Sequence, residues 1–268
     1  MCYFTACFQK SLNTSTWGLG STIETIGQTK IQLPTKNNQI DFELMESFIA
    51  ERIAELKAYL VATGLDDYTL TSEEERILEE FESGEFKWQE FKIKDVFQWQ
   101  PQKEIDPLKL ENLSDESKIP YPFYGQSTTN NGIISYQQLT DKVLNNQDAK
   151  STILIHSNNQ SIVYLETLFY LKDGHGATSV LQSDRLNKVS QMFFIGSIDK
   201  VIKKKYSYNN KATKIELKNT IILLPTLDNQ PNYTLMETFI SAIQKLVIKD
   251  VVLYANQKIK ATQTTVNK

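Results

Sequence analysis

Residues 1–60 of this chain return at 192–251 at a constant shift of 191 and without a gap. A repeat of that length, interrupted by unrelated sequence, means a chain built from alternating units. The best-matched stretch sets Ile31 to Ile49 against Ile222 to Ile240, with 11 of 19 positions identical. The differences are mild: Phe42 faces Tyr233, Ser47 faces Thr238 and Asp41 faces Asn232. Met1 falls on Met192, Tyr3 on Phe194, Trp17 on Tyr208 and Thr29 on Thr220. The unit reads as a variable domain, a Leu-Pro junction and a long helix. Of the first variable domain only the tail is present.

With 268 residues, 40 % hydrophobic and 23 % charged, the composition is that of a soluble globular protein. No run approaches the ~18 apolar residues of a membrane span. The start, MCYFTACFQK, lacks a basic region followed by an apolar core, so no secretory signal is read and the expected location is cytoplasmic. Cys2 and Cys7, the only cysteines, suit a reducing compartment and make neither a disulfide framework nor a zinc site. Read as a strand, their spacing puts them on opposite faces. The net charge of −3 hides an asymmetry. Residues 41–85 hold 14 acidic and 3 basic residues, net −11, which leaves +8 for the rest. An acidic helical connector is joined to a basic globular part, and binding depends on that local field.

Four segments are expected. Residues 1–40 are the tail of a first variable domain, in strand or short helical pieces. Residues 41–85 form a spacer helix and linker. Phe42, Met45, Ile49, Ile53, Leu56 and Leu60 recur at three and four residues, Gly64 caps the end, and Thr71 or Ser72 starts an acidic second helix. Residues 86–225 alternate short strands with turns such as Asn131-Gly132 and Asp173-Gly174, with a helical stretch from Ser183 to Phe194. Residues 226–268 hold a second spacer helix with Met236, Ile240, Ile243, Val247 and Tyr254 at the same spacing. The fold class is α+β: a mixed α/β globular domain flanked by two long helices. An unpaired apolar stripe forgoes about 1.5–3 kcal/mol per large side chain. The helices are therefore expected to pair as an antiparallel coiled-coil-like hairpin, through Met45, Ile49, Leu56, Met236, Ile240, Ile243 and Val247. The alternative is that each packs on the domain.

These residues carry a resemblance to the DNA-specificity (S) subunits of type I restriction-modification systems, and to the similar subunits of BcgI-like type IIB enzymes. It rests on the opening Trp88-Gln89-Glu90-Phe91 through Asp95-Val96-Phe97, on Tyr121-Pro122-Phe123-Tyr124-Gly125 and Asn130-Asn131-Gly132-Ile133, on KKKYSYNNKA at 203–212, and on the LLP junction before LMETFI. It covers essentially the whole chain. The repeat is its specific part. The resemblance implies one complete target-recognition domain, which reads one half of a bipartite site in double-stranded DNA. It also implies long helices that bind methyltransferase subunits, restriction subunits in the same complex, and a homodimer if this is a half-subunit. S-adenosylmethionine is expected only on the methyltransferase, with no cofactor, metal or membrane contact for this chain.

The chemistry agrees. There is no Asn-Pro-Pro-aromatic motif, no Gly-rich cofactor loop and no Walker-type phosphate loop. Glu216-Leu217-Lys218 with Asp199 upstream is a short nuclease-like triplet that the repeat does not keep. His156 and His175 lack partners at ligand spacing. Candidate DNA-binding residues are Gln126, Ser127, Thr128, Thr129, Asn130 and Asn131, then His156, Ser157, Asn158, Asn159 and Gln160, both rows of donors and acceptors next to apolar strands. Lys203, Lys204, Lys205 and Lys211, with Lys214, Tyr206 and Tyr208, form the densest basic-aromatic cluster, suited to phosphates. The other reading of that cluster is a basic edge strand guarding a sheet. The expected function is a non-catalytic specificity subunit that directs adenine methyltransferase and restriction subunits. The alternatives are a coiled-coil protein-interaction module whose head binds protein, and a stand-alone nuclease.

Overall fold

The computed structural model describes residues 2–12, 22–185 and 187–266. Met1, Trp17 and the polar stretch at 13–15 lie outside the described residues. The chain forms two compact units, Met1–Leu70 with Ile243–Lys268, and Thr71–Ala242.

The first unit opens with α1 (Cys2–Leu12) and α2 (Ile23–Gly27). The strand considered for the two cysteines is thus a helix. A short hairpin of β1 (Thr35–Lys36) and β2 (Gln39–Ile40) follows, then α3 (Phe42–Ala62). Asp41 caps α3 by accepting the N–H of Leu44 at 2.9 Å. Gly64, at φ +69, closes it: Leu65 N–H reaches Leu60 O at 2.8 Å and Gly64 N–H reaches Val61 O at 3.1 Å. The Tyr3 ring meets Phe48 edge-on at 5.6 Å.

The second unit begins with α4 (Ser72–Glu82), where Thr71 and Glu74 form a reciprocal capping box. Then come β3 (Trp88–Lys92), α5 (Ile93–Val96), β4 (Gln98–Trp99), β5 (Glu104–Ile105), α6 (Leu110–Leu113), β6 (Tyr121–Tyr124) and β7 (Ile133–Gln137). They are followed by β8 (Thr152–His156), β9 (Ile162–Leu165), β10 (Tyr170–Lys172), β11 (Thr178–Gln182), α7 (Lys188–Lys205), α8 (Lys214–Asn219), β12 (Ile221–Leu227), β13 (Gln230–Pro231) and α9 (Tyr233–Val266). This is the α+β class read from sequence. The expected helix at 183–194 is α7, displaced to 188–205. Asn187 sets the late start by capping Val189 and Ser190 N–H, and lysines 203–205 end the helix and do not line an edge strand.

Two four-stranded sheets, ordered β5-β10-β6-β7 and β4-β11-β8-β9, make the body of the unit. Tyr124 and Leu171 of the first sheet form one core with Leu154, Val163, Leu165 and Val180 of the second. Their strand neighbours Phe123 and Tyr170 point the other way and pack with Ile105, Leu139 and Leu144, as a period of two requires. A third sheet joins the ends of the unit. β3 pairs antiparallel with β12, from Trp88 opposite Pro225 to Lys92 opposite Ile221. Beside it the rings of Phe81, Phe86, Trp88, Phe193 and Phe239 meet at centroid distances of 4.7–6.2 Å, tying α4, β3, α7 and the start of α9 together. Each such pair is worth about 0.5–1.5 kcal/mol beyond burial.

The repeat is also a structural one. At the shift of 191, α1 falls on α7, α2 on α8, the β1–β2 hairpin on β12–β13, and α3 on the start of α9. Asp41 N–H and Asn232 N–H reach Pro34 O and Pro225 O, both at 2.9 Å. Asn232 caps α9 through Leu235 N–H as Asp41 caps α3. The turn residues Asn37 and Asn38 have φ 53 and 61; Asp228 and Asn229 have φ 51 and 59. Of the expected interface residues, Met45 and Met236 are buried, Ile49, Leu56, Ile240 and Ile243 half-buried, and Val247 is 73 % exposed. Packing on the domain holds for the first turns of α9, where Tyr233 stacks on Phe194 at 6.0 Å.

Glu74 is buried, and accepts from Thr71 N–H at 2.8 Å and from Ser241 Oγ at 2.6 Å. Glu74→Ala leaves those donors unmet, at a cost of about 1–3 kcal/mol. The thermal midpoint is expected to fall by about 5 °C, and Glu74→Gln, which keeps an acceptor, recovers most of it.

Candidate nucleic-acid interface

Strand direction gathers the loops at one end of the two sheets. β10 runs parallel to β6, so the loop leaving β6 and the loop leaving β10 emerge together. β11 pairs with β8 in the opposite sense, setting Thr178 beside His156, so the loop after β8 joins them. These are loop A (125–132), loop B (157–161) and loop C (173–177).

Loop A is a tight polar arch. Gly125 N–H bonds to Gly132 O at 2.9 Å, and Ser127 Oγ lies 3.0 Å from Thr129 Oγ1. Asn130, Asn131 and Gly132 are all left-handed, at φ 49, 50 and 79. Asn130 spends its amide on Ile133 O at 3.1 Å. Gln126 and Ser127 are half-buried, whereas Thr128, Thr129, Asn130 and Asn131 face solvent. Loop B touches loop A through Asn159 Nδ2, which donates to Gln126 O at 3.2 Å. Loops B and C are joined by Ser157 N–H to Ala177 O at 2.8 Å. The segment after α7 is drawn in by Ala212 N–H to Ser157 O at 3.3 Å. Thus the two polar stretches read as DNA-binding from sequence lie side by side, and the basic stretch reaches them at its end, Lys211-Ala212.

Several expected contacts do not reach that face. His156 is the last residue of a strand buried on both sides; it has 0 % exposure and shares a hydrogen bond of 2.9 Å with Thr178 Oγ1. Ser157 and Gln160 are 7 % exposed, and Gln160 closes loop B by donating to Ser157 O at 2.8 Å. Tyr206 is buried with its hydroxyl 2.7 Å from Thr220 Oγ1. His156, Ser157 and Gln160 thus hold loop B from within, and Tyr206 is buried against the end of α8. Asn158 and Asn159 are half-buried. The exposed set is Thr128, Thr129, Asn130 and Asn131 with Lys203, Lys204, Lys205, Tyr208 and Lys211. Lys203 pairs with Asp199 at 2.8 Å, Lys205 lies 5.0 Å over the Tyr206 ring, and Lys211 lies 5.6 Å over Tyr208.

Polar capacity is left over. Gln126 Oε1, Asn158 Oδ1 and His156 Nε2 are buried and without a hydrogen-bond partner. Such atoms cost about 1–3 kcal/mol each, and native folds keep few of them. No sequence pattern marks loop C as part of this face beyond the Asp173-Gly174 turn; what places it there is Glu104, distant in sequence, whose carboxylate accepts from Gly174 N–H. The N–H of His175 holds the Asp173 carboxyl below its ordinary range. For the nuclease reading, Asp199 is spent on Lys203, and Lys218 lies 5.5 Å over Trp99. Among the described residues no group of three or more His, Cys, Asp or Glu could hold a metal ion. Among them, too, no helix is long and apolar enough to cross a membrane.

The family model for the type I restriction modification DNA specificity domain matches residues 85–254, more than half of the chain, and the chain belongs to that family. A curated relative, the type II restriction enzyme BgcI specificity subunit S.BcgI of Heyndrickxia coagulans, is 25 % identical over 228 residues, which cover 82 % of this chain and 59 % of the relative. The chain thus spans less than two thirds of that protein. Among solved structures, the type I restriction-modification S subunit from M. genitalium matches with a TM-score of 0.47 and 16 % identity, over 98 % of this chain and 70 % of that one. The HsdS subunit from Thermoanaerobacter tengcongensis matches with a TM-score of 0.43 and 12 % identity, over 99 % and 66 %.

The buried imidazole gives the domain a pH signature. Burial pushes His156 from 6.5 down to about 4. Above pH 6.5 the ring is neutral in both folded and unfolded chains. As the pH falls from there toward 4, the unfolded chain takes up a proton that the folded domain refuses, and stability is lost across that window. Between pH 7 and pH 5 the loss is about 2 kcal/mol. In denaturant unfolding at the two pH values, His156→Gln should remove most of the difference.

Proposed function

We propose that this chain is the sequence-reading, non-catalytic subunit of a restriction-modification complex. Residues 86–225 act as the target-recognition domain for one half of a bipartite site in double-stranded DNA. Residues 1–40 act as the tail of a first such domain, which precedes it in the chain. The helices α3 and α9, paired as a hairpin, dock the adenine methyltransferase subunits that carry S-adenosylmethionine, and restriction subunits join through them. The apolar side chains offered to such partners are the exposed Phe42, Leu44, Tyr59, Leu246 and Val247. The observation that carries the reading is the face on which loops A and B meet the Lys211 segment. Exposed Thr and Asn side chains stand on a rigid, two-sheet support next to lysines, so base contacts and phosphate contacts are available together.

Direct long-read mapping of methylated adenines, with the gene intact and deleted, tests this. Loss of one bipartite motif on deletion is the expected result; an unchanged methylome in cells that express the chain overturns it. In the assembled complex, Lys204→Ala, Lys205→Ala and Lys211→Ala together should reduce the slope of log K against log salt by about 2–3, equally for cognate and random duplexes. Thr128→Ala with Asn131→Gly should instead weaken cognate binding by about 1–3 kcal/mol per lost contact and leave random-duplex binding unchanged. Gly is chosen because Asn131 sits at φ 50, where Ala would strain the backbone and Asp would add a charge that phosphates repel. Wild-type discrimination in that double variant would remove loop A from base reading.

A further inference from the structure

Loop C is built more tightly than a connection between two strands requires. Glu104 Oε2 accepts the N–H groups of both Gly174 and Gly176, at 3.1 and 3.0 Å. Its other oxygen accepts from Gln102 Nε2, and Gln102 Oε1 accepts from Lys214 Nζ at 3.1 Å. Asp173 gives its N–H to Ile105 O at 2.8 Å and accepts the N–H of His175 on Oδ1 at 2.8 Å. His175 is thereby held at φ +54. A residue of its kind keeps that left-handed backbone only where its surroundings fix it. These bonds involve the loop's backbone and Asp173. The imidazole takes no part in them. It stands 95 % exposed, with Nδ1 3.5 Å from Asp173 Oδ1.

We propose that loop C is a further reading element of the DNA face and that His175 contacts a base edge in the major groove. The inference rests on the DNA-reading function proposed above and adds a residue to it. Two contacts place the loop. A Cβ at Gly174 would come within 2.9 Å of Gln126 Nε2, so loop C lies directly against loop A, and any larger residue there must displace the Gln126 amide. Loop B is tied to the other end of loop C by the Ser157–Ala177 hydrogen bond of 2.8 Å. A ring at the tip of loop C therefore shares the face with Thr128 and Asn131. Charge chooses a base over a phosphate. The carboxylates of Asp173 and Glu104 flank the loop and are matched by the cations Lys214 and Lys109, so the loop carries no excess positive charge with which to hold a phosphate oxygen. A base edge is neutral, and an imidazole nitrogen can donate to it or accept from it.

The test uses the source organism, with the chromosomal gene intact, deleted, or carrying His175→Asn, and maps methylated adenines in each. Asn tolerates a positive φ, so the loop keeps its shape, and thermal unfolding of the purified variant verifies this. The expected result is a motif relaxed or altered at one position only, with methylation of sites that differ there rising about 5- to 100-fold relative to the other positions. An unchanged motif in the variant, with the motif lost on deletion, overturns the role of His175 and leaves the proposed function standing. Uniform loss of methylation without a change of motif, in a variant that melts like wild type, also overturns it. A methylome that deletion leaves unchanged sinks both.

Discussion

The pairing of β3 with β12 is the constraint on which the rest depends. It closes nearly the whole second unit between two antiparallel neighbours, so chain closure is settled at one place and the two larger sheets fold inside that closure. Both strands carry side chains that commit the surroundings. Trp88 belongs to the aromatic cluster that fixes α4, α7 and the first turns of α9. Ile222 and Leu224 are fully buried beneath them. Hydrogen-bond register and ring packing thus specify the same arrangement, the agreement of levels that marks a well-determined fold. Ile93 N–H, bonded to Thr220 O at 3.0 Å, carries the pairing one step past the strand itself.

The loop face inherits its rigidity from the sheets and its chemistry from what the sheets leave unmet. Buried polar atoms without partners are rare in native proteins. Three of them, on Gln126, His156 and Asn158, sit in or directly beneath loops A and B. Their cost is tolerated on a scaffold with two packed apolar clusters. An interface whose directional groups are fixed in advance loses little side-chain freedom on binding. The lysines of the basic stretch are exposed: Lys203 pairs with Asp199 and Lys205 lies over Tyr206 at the end of α7, and Lys211 lies over Tyr208 beyond it, as suits groups that need only meet phosphates.

Much of this was legible in the sequence because local rules and the fold agree. The three-four spacing of Met45, Ile49, Leu56 and Leu60 marks α3 to within a residue, and Gly64 and Thr71 take the cap positions their chemistry suggests. The repeat forecasts that two distant segments adopt one conformation, down to the Asp41 and Asn232 caps. His156 was illegible for a definite reason. The run ILIH belongs to a strand buried on both faces, where the alternation that would separate inside from outside vanishes. The α1 segment is short, so its apolar MCYF and ACF fit a strand as well as a helix. Loop C depends on Glu104, and no local pattern foretells a carboxylate arriving from another strand.

The two-residue turn of the β12–β13 hairpin, with its left-handed Asp228 and Asn229, stands only a few residues before the Asn232 cap of α9. Turn, cap and helix are therefore geared to one another. Each residue of an α-helix rotates the direction of its side chains by about 100°, so one residue inserted between turn and cap would swing Phe239 out of the aromatic cluster and carry a polar flank in. The same gearing exists at Asn37, Asn38 and Asp41. Both hairpins serve as rotational stops that set the phase of a long helix.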